Sequence, residues 1–338
     1  MAALSLPRPD RRALAVTLVV AAAACGVFAW SISLGDFPVP IVDVVATLLG
    51  GGDADSELIV RTLRLPRALT GLLVGAAFGL SGAIFQRVAR NPLASPDIVG
   101  INAGAAAAAV ALIVLFDATS TRVTLGALAG AALTVLAIYL LAYKRGVTGY
   151  RFVLVGVGAS AMLFAVTQYM LTRAELYDAQ RAFVWLTGSL NGRGWDYVRP
   201  LTVALAVLVP AALALGRRLR ILDLGDDAPR GLGVRVEATR TGLLLTAATL
   251  AAVATAAAGP VAFVALVSPQ VARRLVGGCS AALAPSAAFG ALLLVSADLV
   301  ARRIFAPTEL PVGVVTAILG APYLLFLLAR ANRIGVAG

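Results

Sequence analysis

The side chains that most often perform chemistry are scarce in this sequence. Its 338 residues include no histidine, two cysteines and three methionines, and Lys144 is the single lysine. Without an imidazole the chain lacks the usual general base and a common transition-metal ligand. No GxxxxG motif precedes Lys144, so a phosphate-binding P-loop is absent as well. We therefore predict no catalytic residue, no metal site and no cofactor, and we assign any ATP hydrolysis to another chain.

The polar side chains in the middle of the long apolar runs are uncharged. They are Asn102, Thr167 and Gln168, whereas Asp298 lies near the outer end of its run. A proton- or sodium-coupled carrier normally places an ionisable group near the midplane of the bilayer. The runs offer none there, so the sequence argues against a secondary transporter, which is kept as the alternative from another class.

The segment RNPLASPDIVG, residues 90–100, is a polar and helix-breaking stretch between two apolar runs. Pro92 and Pro96 lack a backbone donor and turn the residues before them away from helical geometry. The side chains of Asn91 and Asp97 can bond to the local backbone or cap the next helix. We predict a turn at the cytoplasmic face.

The elements that must position these residues are apolar helices. The sequence is 60% hydrophobic and 13% charged, with a mean hydropathy of +0.92, and one crossing of a bilayer takes about 20 apolar residues. Runs without Asp, Glu, Lys or Arg occur at 13–30, 68–86, 98–116, 123–143, 152–172, 200–216, 241–272, 275–297 and 310–329. The run 241–272 is too long for one crossing and is broken at Gly259-Pro260. The sequence therefore predicts an all-α, polytopic membrane protein with ten transmembrane helices.

Ten spans with both termini in the cytoplasm also explain the charge. The formal net charge is +11, and this topology places 18 of the 28 Lys and Arg residues in cytoplasmic segments and 11 of the 17 acidic residues outside. That distribution follows the positive-inside rule. Nucleic acid, the other partner that a strongly basic chain suggests, is therefore set aside. We predict a multi-pass protein of the plasma (inner) membrane, with lipid around it.

The predicted spans form a single transmembrane domain, residues 1–338, with five-helix halves at about 13–172 and 196–330. TGLLVGAA at 70–77 and TGLLLTAA at 241–248 agree at six of eight positions and would run in opposite directions, as an inverted repeat requires. Gly71, Gly75 and Gly79 recur at every fourth residue, a spacing that lets helices approach closely. We expect the span 68–86 to be enclosed by other helices. The alternative is a chain that is merely rich in Ala, Leu and Gly.

A charged segment, RRLRILDLGDDAPRGLGVRVEATR at 217–240, separates the sixth and seventh predicted spans. Asp226-Asp227-Ala-Pro suits the N-terminus of a helix, and Gly231 and Gly233 would end a short one. We predict a short amphipathic helix at the cytoplasmic face that is available to a soluble partner. A solvated turn is the alternative.

Three blocks of the sequence carry a resemblance to a known family. They are RLPRALTGLLVGAAFGLSGAIFQRVARNPLASPDIVGINAGA at 64–105, GPVAFVALVSPQVARRLVG at 259–277 and ADLVARRIFAPTELPVGVVTAILGAPYLLFLLAR at 297–330. Together with WLTG at 185–188 and LGDDAPRGLGV at 224–234, they resemble the permeases of ABC importers for ferric siderophores and vitamin B12, the FecCD/BtuC-like family. The resemblance covers roughly residues 60–330.

The resemblance implies partners and roles for individual residues. Members pair two ten-helix permeases, identical or not, around a central pathway, with two ATPase subunits inside and a binding protein outside. It implies that Arg64, Arg67 and Arg302 dock the binding protein; contact with lipid headgroups is the alternative for each. It further implies a coupling helix that contacts the ATPase, at Asp226, Arg230, Gly231, Leu232 and Gly233; a cytoplasmic gate at Thr148, Gly149 and Tyr150; and a signature turn at Asn91 and Pro92. The spans 152–172 and 310–329, with the stretch near Trp185 and Gly188, would border the pathway.

One position departs from the family pattern. Pro269 is followed by Gln270, where the family usually has Pro-His. Glutamine still donates and accepts hydrogen bonds, so we expect the fold to tolerate it. The implied cargo is a ferric siderophore, with vitamin B12 or haem as the close alternative.

Overall fold

The computed structural model describes residues 11–35, 37–143, 149–222, 231, 235–277 and 282–335. Within these ranges the regular structure is helical, and a π-helical stretch, Leu58–Arg64, leads directly into α4. The helices are α1 (Arg11–Ser33), α2 (Ile41–Leu49), α3 (Ala54–Glu57), α4 (Leu65–Val88), α5 (Ile101–Phe116), α6 (Ser120–Ala142), α7 (Gly149–Arg173), α8 (Leu176–Leu186), α9 (Trp195–Leu222), α10 (Val236–Ala258), α11 (Val264–Val276), α12 (Leu283–Arg303) and α13 (Val312–Gly335).

Seven helical segments in the described chain are long and apolar enough to cross a membrane. They are Arg11–Ser33, Ala54–Val88, Ser120–Ala142, Gly149–Arg173, Trp195–Leu219, Val236–Ala258 and Leu283–Arg303. Helix α5 and the apolar part of α13, Val312–Leu327, are shorter, and α11 has 13 residues. The ten predicted spans each overlap a helix, but only seven have the length of a full crossing. The count of ten therefore stays a prediction.

Helix α4 lies at the centre of the bundle, as the glycine spacing predicted. Most of its residues are buried, and it packs against α9, α10, α11 and α12. A Cβ added at Gly75 or Gly79 would lie 2.3 Å from the Gly290 carbonyl oxygen or 2.1 Å from that of Ser286. These carbonyls belong to α12, so the two backbones touch where a side chain would hold them apart.

The helices alternate between two ends of the bundle. At the Arg12 end, Arg12 Nε donates to the Leu275 carbonyl at 3.0 Å, and Arg90 Nη2 donates to the Leu222 carbonyl at 3.0 Å. At the opposite end, which we call the Arg67 end, Trp195 Nε1 donates to the Arg61 carbonyl at 2.9 Å. Helix α8 also lies at the Arg67 end.

The long apolar run 241–272 is interrupted where Gly259-Pro260 predicted. Helix α10 ends at Ala258 and α11 begins at Val264, and we call residues 259–263 the helix break. Both Gly259 and Phe263 have positive φ angles, +78° and +67°. A positive φ is uncommon for a bulky residue such as Phe263, so its neighbours must hold it in place.

The prediction of a simple cytoplasmic turn at residues 90–100 was incomplete. Helix α4 ends at Val88 and α5 begins at Ile101, and we call residues 89–100 the connecting segment. The segment starts beside Gly149, at the first turn of α7, and ends beside Ser160. Eleven helical residues separate those two positions, a rise of about 16 Å. The connecting segment therefore runs into the bundle, alongside α7, instead of turning at its surface.

The backbone of the connecting segment is satisfied by its neighbours, which is why it can be buried. Gln270 Nε2 donates to the Pro92 carbonyl at 2.7 Å, and Ser160 Oγ lies 3.3 Å from the Ile98 carbonyl. Asn91 Oδ1 accepts from the Leu93 N–H at 2.9 Å, as its turn chemistry predicted. Asp97 does not cap α5, because the N-cap residue there is Gly100.

Candidate functional site

Arg67 and Arg302, two of the three arginines predicted to dock a partner, share one buried carboxylate at the Arg67 end. Arg67 Nη2 and Asp298 Oδ1 are 2.9 Å apart, and the two side chains are 11% and 4% exposed. Arg302 Nε lies 3.2 Å from Asp298 Oδ2 as an ion pair outside hydrogen-bond geometry. Arg67 Nη1 also donates to Glu309 Oε2 at 2.8 Å. The arginines are thus held by acids of their own chain.

Arg64, the third of these arginines, is fixed by backbone carbonyls. Its Nη1 donates to the Ile32 carbonyl at 2.9 Å, and its Nη2 donates to the Phe37 carbonyl at 2.6 Å. These bonds attach the start of α4 to the end of α1 and to the loop that follows. Arg64 therefore has a structural role whatever else it binds.

The three arginines line one open cavity of about 440 Å³ at the Arg67 end. Arg193 and Arg303 line it too, together with Glu309, and the sequence analysis missed both arginines. Arg193 stacks over the Tyr197 ring, with its guanidinium carbon 4.3 Å from the ring centroid. Five guanidinium groups stand against two carboxylates, Glu309 in the lining and the buried Asp298 behind it. The rim therefore has a net positive charge suited to an acidic surface.

A larger open cavity of about 970 Å³ adjoins this rim and shares Arg193, Asn191 and Glu309 with it. Tyr177, Arg181 and Trp185 of α8 also line it. Arg181 Nη1 lies 2.5 Å from Asp117 Oδ1, and the hydrogen bond to that carboxylate raises the pKa of the guanidinium. The wall of this cavity is therefore aromatic with fixed cations.

The stretch near Trp185 and Gly188 packs between the helix break and the start of α13. Gly313 N–H donates to the Gly188 carbonyl at 3.1 Å, and Ser189 N–H donates to the Ala258 carbonyl at 2.8 Å. Gly188 has a φ of +70°, and a Cβ there would lie 2.6 Å from the Pro260 carbonyl oxygen. Movement of α8 would therefore displace the helix break and the start of α13, which its C-terminal stretch contacts directly.

Gln270 belongs to a polar cluster near the Arg12 end. Its Nε2 lies 3.0 Å from Gln86 Oε1, which also accepts from Arg273 Nη2 at 2.7 Å. Gln86 Nε2 in turn donates to the Leu266 carbonyl. The family resemblance leads us to expect histidine at position 270, and the Gln270 amide acts as a hydrogen-bond donor there. Its bonds join α11 to α4 and to the connecting segment.

The predicted gate and coupling residues are described only in part. Gly149 packs against the Val88 carbonyl at the end of α4, and Tyr150 is exposed. Thr148, Asp226, Arg230, Leu232 and Gly233 lie outside the described residues, and Gly231 is exposed. The predicted amphipathic helix therefore stays a prediction.

Comparison with known proteins gives a consistent picture. The profile of the FecCD transport family matches residues 20–330. The chain is similar to the ferric enterobactin transport system permease protein FepG of Escherichia coli (strain K12), with 42% identity over 95% of this chain and 98% of FepG. It is 41% identical to the iron(3+)-hydroxamate import system permease protein FhuG of Bacillus subtilis (strain 168), over 90% of this chain and 94% of FhuG.

The fold resembles that of a solved structure described as an inward-facing metal-chelate type ABC transporter. The TM-score is 0.84, and the match covers 94% of this chain and 99% of that one. The sequence identity is 24%, so this likeness concerns the fold alone.

Proposed function

This chain belongs to the FecCD transport family, and we propose that it is the membrane-spanning permease subunit of an ABC importer for ferric siderophores. The observation that carries the proposal is the end-to-end likeness to FepG and FhuG, over nine-tenths or more of both chains in each pair. The chain performs no bond chemistry in this role. It provides a pathway that opens alternately to the two sides of the membrane, while two separate ATPase subunits supply the energy.

The cargo class is inferred from the relatives. FepG is named for ferric enterobactin and FhuG for iron(3+)-hydroxamate, so the shared chemistry is iron(III) held in an organic chelate. The aromatic and cationic wall of the larger cavity suits such a complex when it carries negative charge. Vitamin B12 and haem are the competing cargoes.

We place the Arg12 end in the cytoplasm and the Arg67 end outside. The arginine distribution of the sequence supports this orientation. Ten spans in two inverted halves, paired with a second permease, would put α7 and α13 beside the pathway. The segment from Asp226 to Gly233 would contact the ATPase, and Thr148, Gly149 and Tyr150 would form the cytoplasmic gate.

A reconstitution experiment tests the function. Proteoliposomes with this chain, its second permease, the ATPase subunits and the binding protein should accumulate ferric enterobactin or a ferric hydroxamate when ATP is present. An ATPase variant without hydrolysis is the control and should give no uptake. Uptake driven by a pH gradient without nucleotide would instead identify a secondary transporter. ATP-driven uptake of vitamin B12 or haem, with no uptake of either iron chelate, would reject the siderophore assignment.

Arg64, Arg67 and Arg302 are proposed to dock the binding protein, and the structure refines how this should be tested. Reversing the charge of Arg67 or Arg302 would also remove one of the two cations that pair with Asp298 and put a second acid beside it, so a loss of docking could reflect misfolding. Arg193→Glu with Arg303→Glu changes the same rim without removing a partner of Asp298.

This double variant should weaken binding-protein affinity at least about tenfold, mainly through a slower and less salt-dependent association. Its thermal stability should stay near that of the wild type. Arg122→Glu is the matched control, because Arg122 is exposed near the start of α6 and does not line the rim cavity. Equal affinities for the double variant and the control would contradict docking at this rim.

A further inference from the structure

Asp97 takes part in a polar network inside the bundle. Its Oδ1 accepts from Asn102 Nδ2 at 2.5 Å, and the backbone N–H of Phe263 lies close enough to interact electrostatically with the carboxylate. Asn102 Oδ1 accepts from Thr255 Oγ1 at 2.7 Å. Asn102 and Thr255 are buried, at 7% and 0% exposure. Three separate parts of the chain therefore meet in this network: the connecting segment with α5, the end of α10, and the helix break.

On one side, the network is attached to α7. Ile98, the residue after Asp97, lies with its carbonyl 3.3 Å from Ser160 Oγ. A Cβ added at Gly156 would lie 2.4 Å from the Val99 carbonyl oxygen. The backbone around Asp97 therefore lies directly on α7, without intervening side chains.

On the other side, the network is attached to α13 through Phe263. The Phe263 ring lies over Gly320, where an added Cβ would come within 2.2 Å of the ring. Phe263 also has the positive φ of the helix break, and its N–H faces the Asp97 carboxylate. Thr255, which donates to Asn102, lies four residues before Gly259 of the break. The network thus holds the start of the break, whose Phe263 side chain fills the space against α13.

We propose that Asp97 is a positioning residue that sets the spacing between α7 and α13, through Ile98 on one side and through Asn102, Thr255 and the helix break on the other. Because α7 and α13 are the proposed walls of the pathway, the consequence for transport rests on the function proposed above. The spacing itself does not depend on that function.

The acceptor chemistry explains why a carboxylate is suited to this place. A carboxylate at position 97 offers only acceptors, and it faces the Asn102 amide, which donates to it, and the Phe263 N–H. Within the part of the chain that the structure describes, the neighbours that contact Asp97 carry no charge, so its hydrogen bonds must compensate for its partial burial. Moving the carboxylate to position 102 would preserve the network, since the new amide at 97 donates to the new carboxylate and keeps an acceptor oxygen for the Phe263 N–H. Thr255 would then donate to that carboxylate.

Two single variants and a swap of the two side chains test the network. Asp97→Ala removes the acceptor, and Asn102→Asp places two carboxylates at hydrogen-bond distance. Each single variant should lower the ratio of cargo transported to ATP hydrolysed by about tenfold in the reconstituted importer. The swap Asp97→Asn/Asn102→Asp should restore the ratio to within about threefold of the wild type. A swap as impaired as Asn102→Asp alone would overturn the proposal.

A distance measurement separates failure of this proposal from failure of the proposed function. Spin labels at Met162→Cys on α7 and Ile318→Cys on α13, both exposed side chains, are placed in a chain whose native cysteines are replaced by serine. Pulsed electron resonance on the whole complex, without cargo, should give a narrow distance distribution for wild type and swap. Asp97→Ala should broaden it. Identical distributions in all three would reject the positioning role, whichever cargo the complex carries.

Discussion

The shared carboxylate of Asp298 should be one of the most sensitive positions for stability. Asp298→Asn keeps the shape of the side chain and removes the charge that balances Arg67 and Arg302. One carboxylate oxygen, which accepted from Arg67 or paired with Arg302, is replaced by an amide NH₂. This new donor would face the donors of the guanidinium groups. Since the three side chains are 4–11% exposed, water cannot replace what is lost.

The size of the effect follows from this burial. Removing one partner of a buried ion pair costs about 3–5 kcal/mol, a factor on the order of 10² to 10⁴ in the folding equilibrium. Glu309 still pairs with Arg67 at 2.8 Å, which places the expected cost toward the lower limit. Glu57→Gln is the matched control, because the Arg61–Glu57 pair has the same 2.9 Å separation with side chains that are 37% and 56% exposed. An exposed pair contributes less than about 1 kcal/mol.

Thermal unfolding of the purified complex in detergent measures the difference. Asp298→Asn should lower the melting temperature by at least about 5 °C, and Glu57→Gln should change it by no more than about 2 °C. Raising the salt concentration should abolish the small effect of Glu57→Gln and leave that of Asp298→Asn, because buried pairs are poorly screened. Equal melting temperatures for the two variants would show that the Arg67–Asp298–Arg302 network does not stabilise the fold.

Two further variants test the packing of α4. Gly79→Ala should destabilise the protein, because the new Cβ would lie 2.1 Å from a carbonyl oxygen of α12. Gly26→Ala is the control: a Cβ there has nothing within 4 Å, so the change should be neutral or stabilise the helix by up to about 1 kcal/mol. Equal melting temperatures for the two variants would contradict the close crossing of α4 and α12. Gln270→Leu should lower the free energy of unfolding by about 1–3 kcal/mol, because the Pro92 carbonyl loses its donor. Gln270→His can still donate and should retain most of the stability. A Gln270→Leu protein as stable as the wild type would show that this hydrogen bond is dispensable.

The features that could be predicted from the sequence depend on local pattern. Gly75 and Gly79 recur on one helical face, and this local spacing was enough to predict that other helices enclose α4. The break at Gly259-Pro260 follows from the backbone preferences of those two residues. Helix positions were therefore predicted well, although α12 extends to Arg303, beyond the apolar run that marked it.

What the sequence did not predict depends on contacts between distant residues. The turn residues of the connecting segment describe a surface loop and a buried loop equally well. Burial requires donors such as Gln270, which is 178 positions away. Likewise, the sequence did not indicate that Arg67 pairs with Asp298 and Glu309, because these acids are 231 and 242 positions away. Asp97 was assigned to a surface turn for the same reason, although it is partly buried and bonds to Asn102.

The burial of the connecting segment also limits the order in which the protein can be made. Thr255 and Gln270 emerge from the ribosome at least 153 residues after the groups they bond. Until then, the Pro92 carbonyl lacks its Gln270 donor, and the polar backbone between α4 and α5 is more stable in water at the membrane surface than in lipid. A nascent chain that stops before α10 should therefore keep the connecting segment at the membrane surface. We expect the segment to enter the bundle only after α10 and α11 have been made, so that a part inserted early reaches its final position late.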